Sequence, residues 1–214
     1  FPATHAQTRL WIEEQTHLED NRYALPFHIV ITGNIDSERL EYALNRVIAE
    51  HEALRTTLHG KLDTLEENEH IPVWQCVHPQ ISISIIKKDL RELSEKDQQD
   101  CSRKIRHELA EKPFNLTTAP LFRAELVLRS APDMGADLYP VFHHAIFDGW
   151  SMRLFMNSFR NALNDYSPIS SLIINDKQTI DYPDIADWEQ SEPVLHVIEK
   201  RLKIMKGRVL SAHA

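Results

Sequence analysis

Two adjacent histidines, His143 and His144, are followed by Asp148 and then by Gly149. An apolar segment precedes them and a helical pattern follows, so the sequence places them between a strand and a helix. A histidine at such a junction can accept or donate a proton at neutral pH. The pattern indicates acid–base chemistry, with the backbone N–H of Gly149 at the helix N-terminus as a candidate donor to a developing oxyanion.

Two other interpretations of these residues stay open at this point. His144 and Asp148 are four residues apart and would share one face of a helix, a spacing that suits two metal ligands, although no HExxH motif or distant partner ligand accompanies them. Histidines can also be buried and hydrogen-bonded to the backbone for structural reasons alone. We favour the catalytic interpretation of the three, with the carboxylate organising the site.

The elements that must hold these residues follow from hydrophobic periodicity and turn signals. The first predicted helix is 4–16. The second is capped by Asp36 or Ser37 and closed by 51–57, and the third is capped by Ser94 and ended by 113–115. The last two run from Gly149 to about 163 and over 185–206. The predicted strands are 23–31, a strand after 57, 72–77, 81–87, 120–128 and 138–143. This alternation predicts an α/β layered architecture, one sheet with helices packed on it, and a linker over 166–184.

Composition narrows the classes of function. The chain has 214 residues, 42% of them hydrophobic and 26% charged, which is typical of a soluble globular protein with a real core. Its net charge of −8 argues against nucleic acid or anionic lipid as a partner, and no membrane span or signal segment is evident. The glycines form no dinucleotide or P-loop motif. Cys76 and Cys101 are predicted to be free thiols, and we expect a cytoplasmic protein.

Four segments resemble, in order, the core motifs of the condensation domains of nonribosomal peptide synthetases. Residues 4–11 (THAQTRLW) resemble SxAQxRLW, and residues 50–57 (EHEALRTT) resemble RHExLRTxF. Residues 143–151 (HHAIFDGWS) resemble HHxxxDGxS, and residues 181–188 (DYPDIADW) resemble YxDFAxW. Because the four motifs keep the family's order and spacing over nearly the whole chain, the chain is identified as a member of this family.

The resemblance implies a fold of the chloramphenicol-acetyltransferase type, an α/β two-layer sandwich. Residues 1–175 would form the N-terminal condensation subdomain, and 176–214 a linker and crossover helix toward a C-terminal subdomain. The family's later motifs do not occur, so we expect that this second subdomain is missing and that the isolated chain is inactive.

The resemblance also implies an amide-forming acyltransferase, in which an acceptor aminoacyl amine attacks a donor thioester. His144 would act as general base or position the amine, while His143 would shape the loop. Asp148 would pair with a buried arginine, for which Arg55 is the best candidate, or cap the following helix. Arg9 would anchor and support the site.

No metal or bound cofactor is implied. The substrates would arrive on phosphopantetheine arms of donor and acceptor peptidyl carrier proteins, in a synthetase that also contains adenylation domains and makes products such as antibiotics or siderophores. Three alternatives remain: a non-catalytic carrier-protein docking module, an epimerisation-type relative and a free-standing acyltransferase of the superfamily. The histidine pair argues against heterocyclisation domains, which carry an aspartate-based motif instead.

Overall fold

A computed structural model describes residues 1–16, 21–33, 36–61, 73–130, 135–166, 182–189 and 191. The helices are α1 (His5–Thr16), α2 (Ser37–Glu50), α3 (Glu95–Glu111), α4 (Gly149–Asn164) and α5 (Tyr182–Glu189). The strands are β1 (Ala24–Pro26), β2 (Ile29–Ile31), β3 (Thr56–Gly60), β4 (Val73–Val77), β5 (Ile86–Asp89), β6 (Phe122–Leu128) and β7 (Ala136–His143). A 3-10 turn (Glu52–Arg55) joins α2 to β3.

Strand β7 is the centre of the main sheet. Strands β1 and β2 pair antiparallel with one edge of it, β6 pairs antiparallel with the other edge, and β5 pairs parallel with β6. Every residue of β7 is buried, as expected for a strand covered on both faces. Strands β3 and β4 form a separate antiparallel pair, so the described residues contain two sheets where the sequence predicted one.

The two faces of the main sheet have different helices on them. Leu138 and Phe142 of β7 belong to the larger hydrophobic core, which also contains the apolar residues of α2 and α4. Tyr139 and Val141 belong to a smaller core with Leu109 of α3. Because side chains alternate along a strand, β7 contributes side chains to both layers, and its last residues point to opposite faces of the sheet.

The caps of α2 and α3 and the apolar periodicity of α2 match the sequence predictions. Asp36 caps α2 by accepting the N–H groups of Glu38 and Arg39, and Ser94 caps α3 by accepting the N–H of Asp97. The apolar residues of α2 face the core. Leu54 lies in the segment 51–57 that was predicted to close this helix, and it is buried from the 3-10 turn that follows α2.

The predicted strand at 23–31 is divided into β1 and β2, which keep one continuous register against β7. Phe27 donates its N–H to the carbonyl of Pro140 at 2.9 Å. Pro140 has no N–H to return a bond to Phe27, so the ladder is interrupted there.

The strand predicted at 81–87 was also wrong in its bounds. Ile81, Ile83 and Ile85 pack against the core from irregular backbone, and the strand begins only at Ile86. The backbone of Ile83 is instead held by the side chain of Asn45, with bonds of 2.8 and 2.9 Å, because α2 supplies the partners that a neighbouring strand would otherwise supply.

The C-terminal predictions are only partly covered. Helix α5 begins at Tyr182 rather than at 185, and the predicted helix beyond it lies outside the described residues. Most of the predicted linker lies outside them as well, and the domain division at 175/176 stays a prediction. No helix in the described ranges has the length and hydropathy needed to cross a membrane.

Candidate active site

The residues that connect β7 to α4 form a tight loop closed by aromatic packing. The ring of Phe147 lies parallel to that of Phe142, with centroids 3.8 Å apart and an interplanar angle of 6°. Phe155 of α4 contacts both rings edge-on. The N–H of His144 donates to the carbonyl of Tyr23 at 2.9 Å, which continues the pairing with β1 by one residue. The chain folds back here because the apolar ring of Phe147 packs against the hydrophobic core.

His144 is exposed and lines a cleft beside this loop. Its Nδ1 lies 2.9 Å from the carbonyl oxygen of Phe147. A carbonyl oxygen can only accept, so Nδ1 carries the proton and donates it. In the neutral ring the lone pair is then on Nε2. This arrangement gives His144 a fixed ring orientation and a nitrogen able to accept a proton.

His143 lies behind the loop, fully buried. Its Nδ1 accepts the N–H of Ala145 at 3.0 Å, and its Nε2 lies 3.1 Å from Oε1 of Glu14. Nδ1 therefore carries no proton, and Nε2 donates to the carboxylate. Both ring nitrogens are occupied and His143 does not line the cleft, a placement suited to shaping the loop rather than touching substrate.

Asp148 is the N-cap of α4 and does not pair with Arg55. Its Oδ1 accepts the backbone N–H of Ser151 at 2.7 Å and the hydroxyl of the same residue at 2.6 Å. These hydrogen bonds lower the pKa of the Asp148 carboxyl below its usual value. The predicted ion pair with Arg55 was wrong, and the alternative role as a helix cap is the one observed. The reason is that the backbone N–H groups in the first turn of α4 have no partner within the helix, so they are available to bond the Asp148 carboxylate.

Arg55 is held by carbonyl groups instead. Its Nε donates to the carbonyl of Ile48 at 3.2 Å and its Nη1 to the carbonyl of His78 at 2.5 Å. The nearest carboxylate in an ion pair with it is that of Glu52, at 4.0 Å within the same turn. Arg55 thus joins the end of α2 to the segment after β4.

Gly149 and Arg9 lie at the margins of the site. Gly149 is the first residue of α4, and a Cβ built on it would have no neighbour within 4 Å. It does not line the cleft, so its role as an oxyanion donor stays a prediction. The side chain of Arg9 is 78% exposed and pairs at 2.9 Å with Glu13 on its own helix. It lines the cleft, and its described contacts do not anchor the loop, contrary to the support predicted for it.

The cleft has a volume of about 710 Å³, in the range of small-molecule sites. Apolar side chains from α1, the 3-10 turn and α4 line most of it, and His144 supplies the exposed imidazole of the loop. Within the described ranges, no group of three or more histidine, cysteine or acidic side chains could hold a metal ion. His144 and Asp148 do not share a helix face, because His144 precedes α4.

Sequence reasoning missed two residues that contact the loop from α1. Gln7 is 1% exposed and its Nε2 donates to the carbonyl of Ala145 at 3.3 Å, while Glu14 bonds His143. The two lie seven residues apart, which places them on one face of a helix. Polar residues on the same face as the buried Trp11 were the signal that could have identified them.

A family model described as Condensation domain matches residues 1–196 of the chain. Chondramide synthase cmdD of Chondromyces crocatus is 29% identical over 210 residues, which cover 98% of this chain and 5% of that protein. Tyrocidine synthase 3 of Brevibacillus parabrevis is 30% identical over 190 residues, which cover 89% of this chain and 2% of that protein. The chain thus spans a small fraction of the length of these relatives.

Solved structures give the same fold. The starter condensation domain of rhizomide synthetase RzmA superposes with a TM-score of 0.67 at 22% identity, covering 88% of this chain and 44% of that one. A chain from the complex of the X-domain and OxyB from teicoplanin biosynthesis superposes with a TM-score of 0.69 at 25% identity, covering 88% and 37%. These likenesses establish the chloramphenicol-acetyltransferase-like α/β fold expected from the motifs.

Proposed function

Because this chain belongs to the condensation-domain family, we propose that it forms the N-terminal half of a nonribosomal peptide synthetase condensation domain and takes part in amide bond formation. In the proposed reaction, the α-amine of an acceptor aminoacyl group attacks the carbonyl carbon of a donor thioester. The C–N bond forms, the C–S bond breaks, and the proton lost by the amine ends on the departing thiol. The observation that carries this proposal is the geometry of His144, whose Nδ1–H is held by Phe147 while its Nε2 can take a proton.

In this mechanism His144 accepts the proton of the amine as the C–N bond forms. The bond from Nδ1–H to the carbonyl of Phe147 keeps the ring in place and stabilises the imidazolium that results. The variant His144→Gln distinguishes general base catalysis from simple positioning of the amine. The glutamine amide can hold the amine but cannot take a proton. We expect the glutamine variant to be as inactive as His144→Ala. Activity close to wild type would assign a positioning role instead.

The substrates proposed for the cleft are acyl and aminoacyl groups on phosphopantetheine arms, carried by donor and acceptor peptidyl carrier proteins. Its volume and mostly apolar lining suit an extended thioester-bearing chain. The names of the relatives, which are synthases, support a place for this chain in a larger synthetase. We propose that this synthetase also contains adenylation domains and is cytoplasmic. Since the chain spans 44% and 37% of the two solved chains described above, we propose that a C-terminal subdomain forms the opposite wall of the cleft and that the chain alone is inactive.

The test is a condensation assay with a complete domain that contains this chain, using carrier proteins loaded with donor and acceptor groups. Mass spectrometry of the acceptor carrier measures the amide product. We expect His144→Ala to lower the rate by about 100-fold or more. His107→Ala is the control, because His107 lies on the exposed side of α3, across the main sheet from α4. Equal rates for His144→Ala and wild type would contradict the proposal.

The second candidate is a docking module without catalysis. It is favoured by the likeness to a chain from a complex of the X-domain with another protein, OxyB. The orientation of His144, set by its hydrogen bond to Phe147, favours catalysis over this alternative. Binding of carrier protein by a complete domain that yields no amide from any loaded pair would favour docking.

A further inference from the structure

Helix α1 contributes two buried polar side chains to the back of the active-site loop. Gln7 is 1% exposed and Glu14 is 9% exposed, and both face the loop rather than solvent. A buried polar group that lacks partners destabilises a fold, so buried polar groups are found hydrogen-bonded. The contacts these two residues make show what they hold in place.

Both contacts converge on Ala145, the residue that follows His144. The carbonyl of Ala145 accepts Nε2–H of Gln7 at 3.3 Å. The N–H of Ala145 donates to Nδ1 of His143 at 3.0 Å, and Nε2 of His143 donates to Glu14 at 3.1 Å. The N–H of Ala145 belongs to the peptide group whose carbonyl is that of His144. The backbone beside His144 is therefore held by a relay that starts at the Glu14 carboxylate.

The carboxylate determines which tautomer His143 adopts. An ionised carboxylate can only accept, so it selects the tautomer with the proton on Nε2 and leaves the lone pair on Nδ1 for the N–H of Ala145. In the other tautomer, Nδ1–H of His143 would face the N–H of Ala145, donor against donor. The loop in its observed form requires the first tautomer.

The surroundings of His143 allow little rearrangement. The rings of Tyr23 and Phe114 contact it edge-on, with centroids at 6.3 and 5.7 Å. Arg123 lies over the ring of Phe114 at 3.8 Å and donates its Nε to the carbonyl of Leu109, which fixes Phe114 to the end of α3. With its ring enclosed, His143 responds to the loss of Glu14 by changing its proton position or by shifting the loop.

We propose that Glu14 is a positioning residue for the condensation reaction, acting on His144 through His143 and the Ala145 backbone. The inference rests on the proposed function, since it assigns Glu14 to the same site. Glu14 does not line the cleft, so it acts without contacting substrate.

Glu14→Leu, which removes the carboxylate at similar size, is the primary variant, and Glu14→Ala, which leaves room for water, is the second. Glu14→Gln is the conservative variant, because its amide oxygen still accepts from Nε2–H. Glu108→Leu, an exposed position on α3, is the matched control. Each is measured for folding, for the ¹⁵N shifts of the histidine rings in this chain, and for kcat and KM in the complete domain.

In wild type, Glu14→Gln and Glu108→Leu, the ¹⁵N spectrum is expected to show an unprotonated Nδ1 for His143 and a protonated Nδ1 for His144. In Glu14→Leu and Glu14→Ala, we expect the Nδ1 signal of His143 to shift toward a protonated nitrogen, or the Nδ1–H signal of His144 to move. We expect kcat to fall about 10-fold to 100-fold while KM changes little, since misplaced catalytic groups lower the rate more than binding.

Folded Glu14→Leu and Glu14→Ala variants with unchanged histidine signals and wild-type kcat would overturn the inference. A loss of stability with unchanged kcat would overturn it as well, because it would assign Glu14 a structural role only. Failure of the proposed function can be distinguished from failure of the inference about Glu14. If the proposed function fails, His144→Ala itself leaves the amide-forming rate unchanged. If His144→Ala is inactive and the Glu14 variants are not, only the inference about Glu14 fails.

Discussion

His143 and His144 are neighbours in the chain, yet their rings carry the proton on opposite nitrogens. Nδ1 of His143 accepts from a backbone N–H, whereas Nδ1 of His144 donates to a backbone carbonyl. The buried imidazole uses Nε2 to bond Glu14, and the exposed one keeps Nε2 for chemistry. One histidine holds the loop and the next is available to react.

Strand alternation is the physical origin of this difference. His143 is the last residue of β7 and points to the same face as Val141, where it contacts Phe114 and Glu14. His144 leaves the strand on the side of Phe142 and reaches the cleft. A shift of one residue in register would exchange the two environments.

The first prediction concerns stability. His143→Ala leaves the Glu14 carboxylate and the N–H of Ala145 without a partner in a buried site, so we expect the free energy of unfolding to fall by about 2–4 kcal/mol. His144→Ala removes an exposed side chain and is expected to change it by less than about 0.5 kcal/mol. Chemical denaturation of the two variants measures both values. Equal losses would contradict the division of roles between the two histidines.

The second prediction separates a helix cap from a buried ion pair at Asp148. We expect Asp148→Ala to cost about 1 kcal/mol, the loss of an N-cap, and Asp148→Asn to cost much less, because asparagine caps well. Removing one partner of a buried ion pair would cost about 3–5 kcal/mol. A double-mutant cycle of Asp148→Ala with Arg55→Ala is expected to be additive. Strong coupling between the two substitutions would indicate that Asp148 and Arg55 form an ion pair after all.

The third prediction is the pH dependence of the same cap. Hydrogen bonds from Ser151 hold the pKa of Asp148 below its usual value, so the charged form stabilises the native state. This contribution is fully present above the ordinary aspartate pKa of about 3.9 and is lost as the pH falls through the lower native pKa. The stability difference between wild type and Asp148→Ala should therefore shrink on acidification. Denaturation curves measured from neutral pH downward test it, and a difference that grows in acid would contradict it.

The fourth prediction tests the N–H of Gly149 as an oxyanion donor. Gly149 is the first residue of α4, and Asp148 before it is extended, with φ −143° and ψ −175°. Proline is compatible with both features, so Gly149→Pro removes the N–H and preserves the helix. We expect the condensation rate to fall by about 100-fold. Gly149→Ala, which keeps the N–H, is the control, and equal rates for the two variants would exclude the donor role.

The fifth prediction concerns the packing of the first motif. A Cβ built on Gly60 of β3 would lie 2.8 Å from the ring of Trp11, which is 3% exposed. We expect Gly60→Ala to displace Trp11 and to cost about 1–3 kcal/mol. Gly149→Ala has no neighbour within 4 Å of its Cβ and is expected to be near neutral. Thermal unfolding of the two variants compares them, and a neutral Gly60→Ala would contradict the close contact.

Local features of the fold could be predicted because their causes lie close together in sequence. The caps Asp36 and Ser94 bond N–H groups within three residues, and the apolar repeat of α2 depends only on helical spacing. The division of the strand at 23–31 could not be predicted this way. It depends on Pro140, which is distant in sequence and becomes a neighbour only through the pairing of β1 and β2 with β7.

The same distinction applies to the candidate site. The sequence alone determined the family, through four ordered motifs, and placed His143 and His144 at the end of a strand before a helix that begins near Gly149. Only the tertiary structure decided the partners of these side chains. The contact between Glu14 and His143 spans 129 residues, and a carboxylate, an imidazole and a guanidinium each have several chemically suitable partners in this chain. Burial and distance select among those partners, and both exist only once the chain is folded.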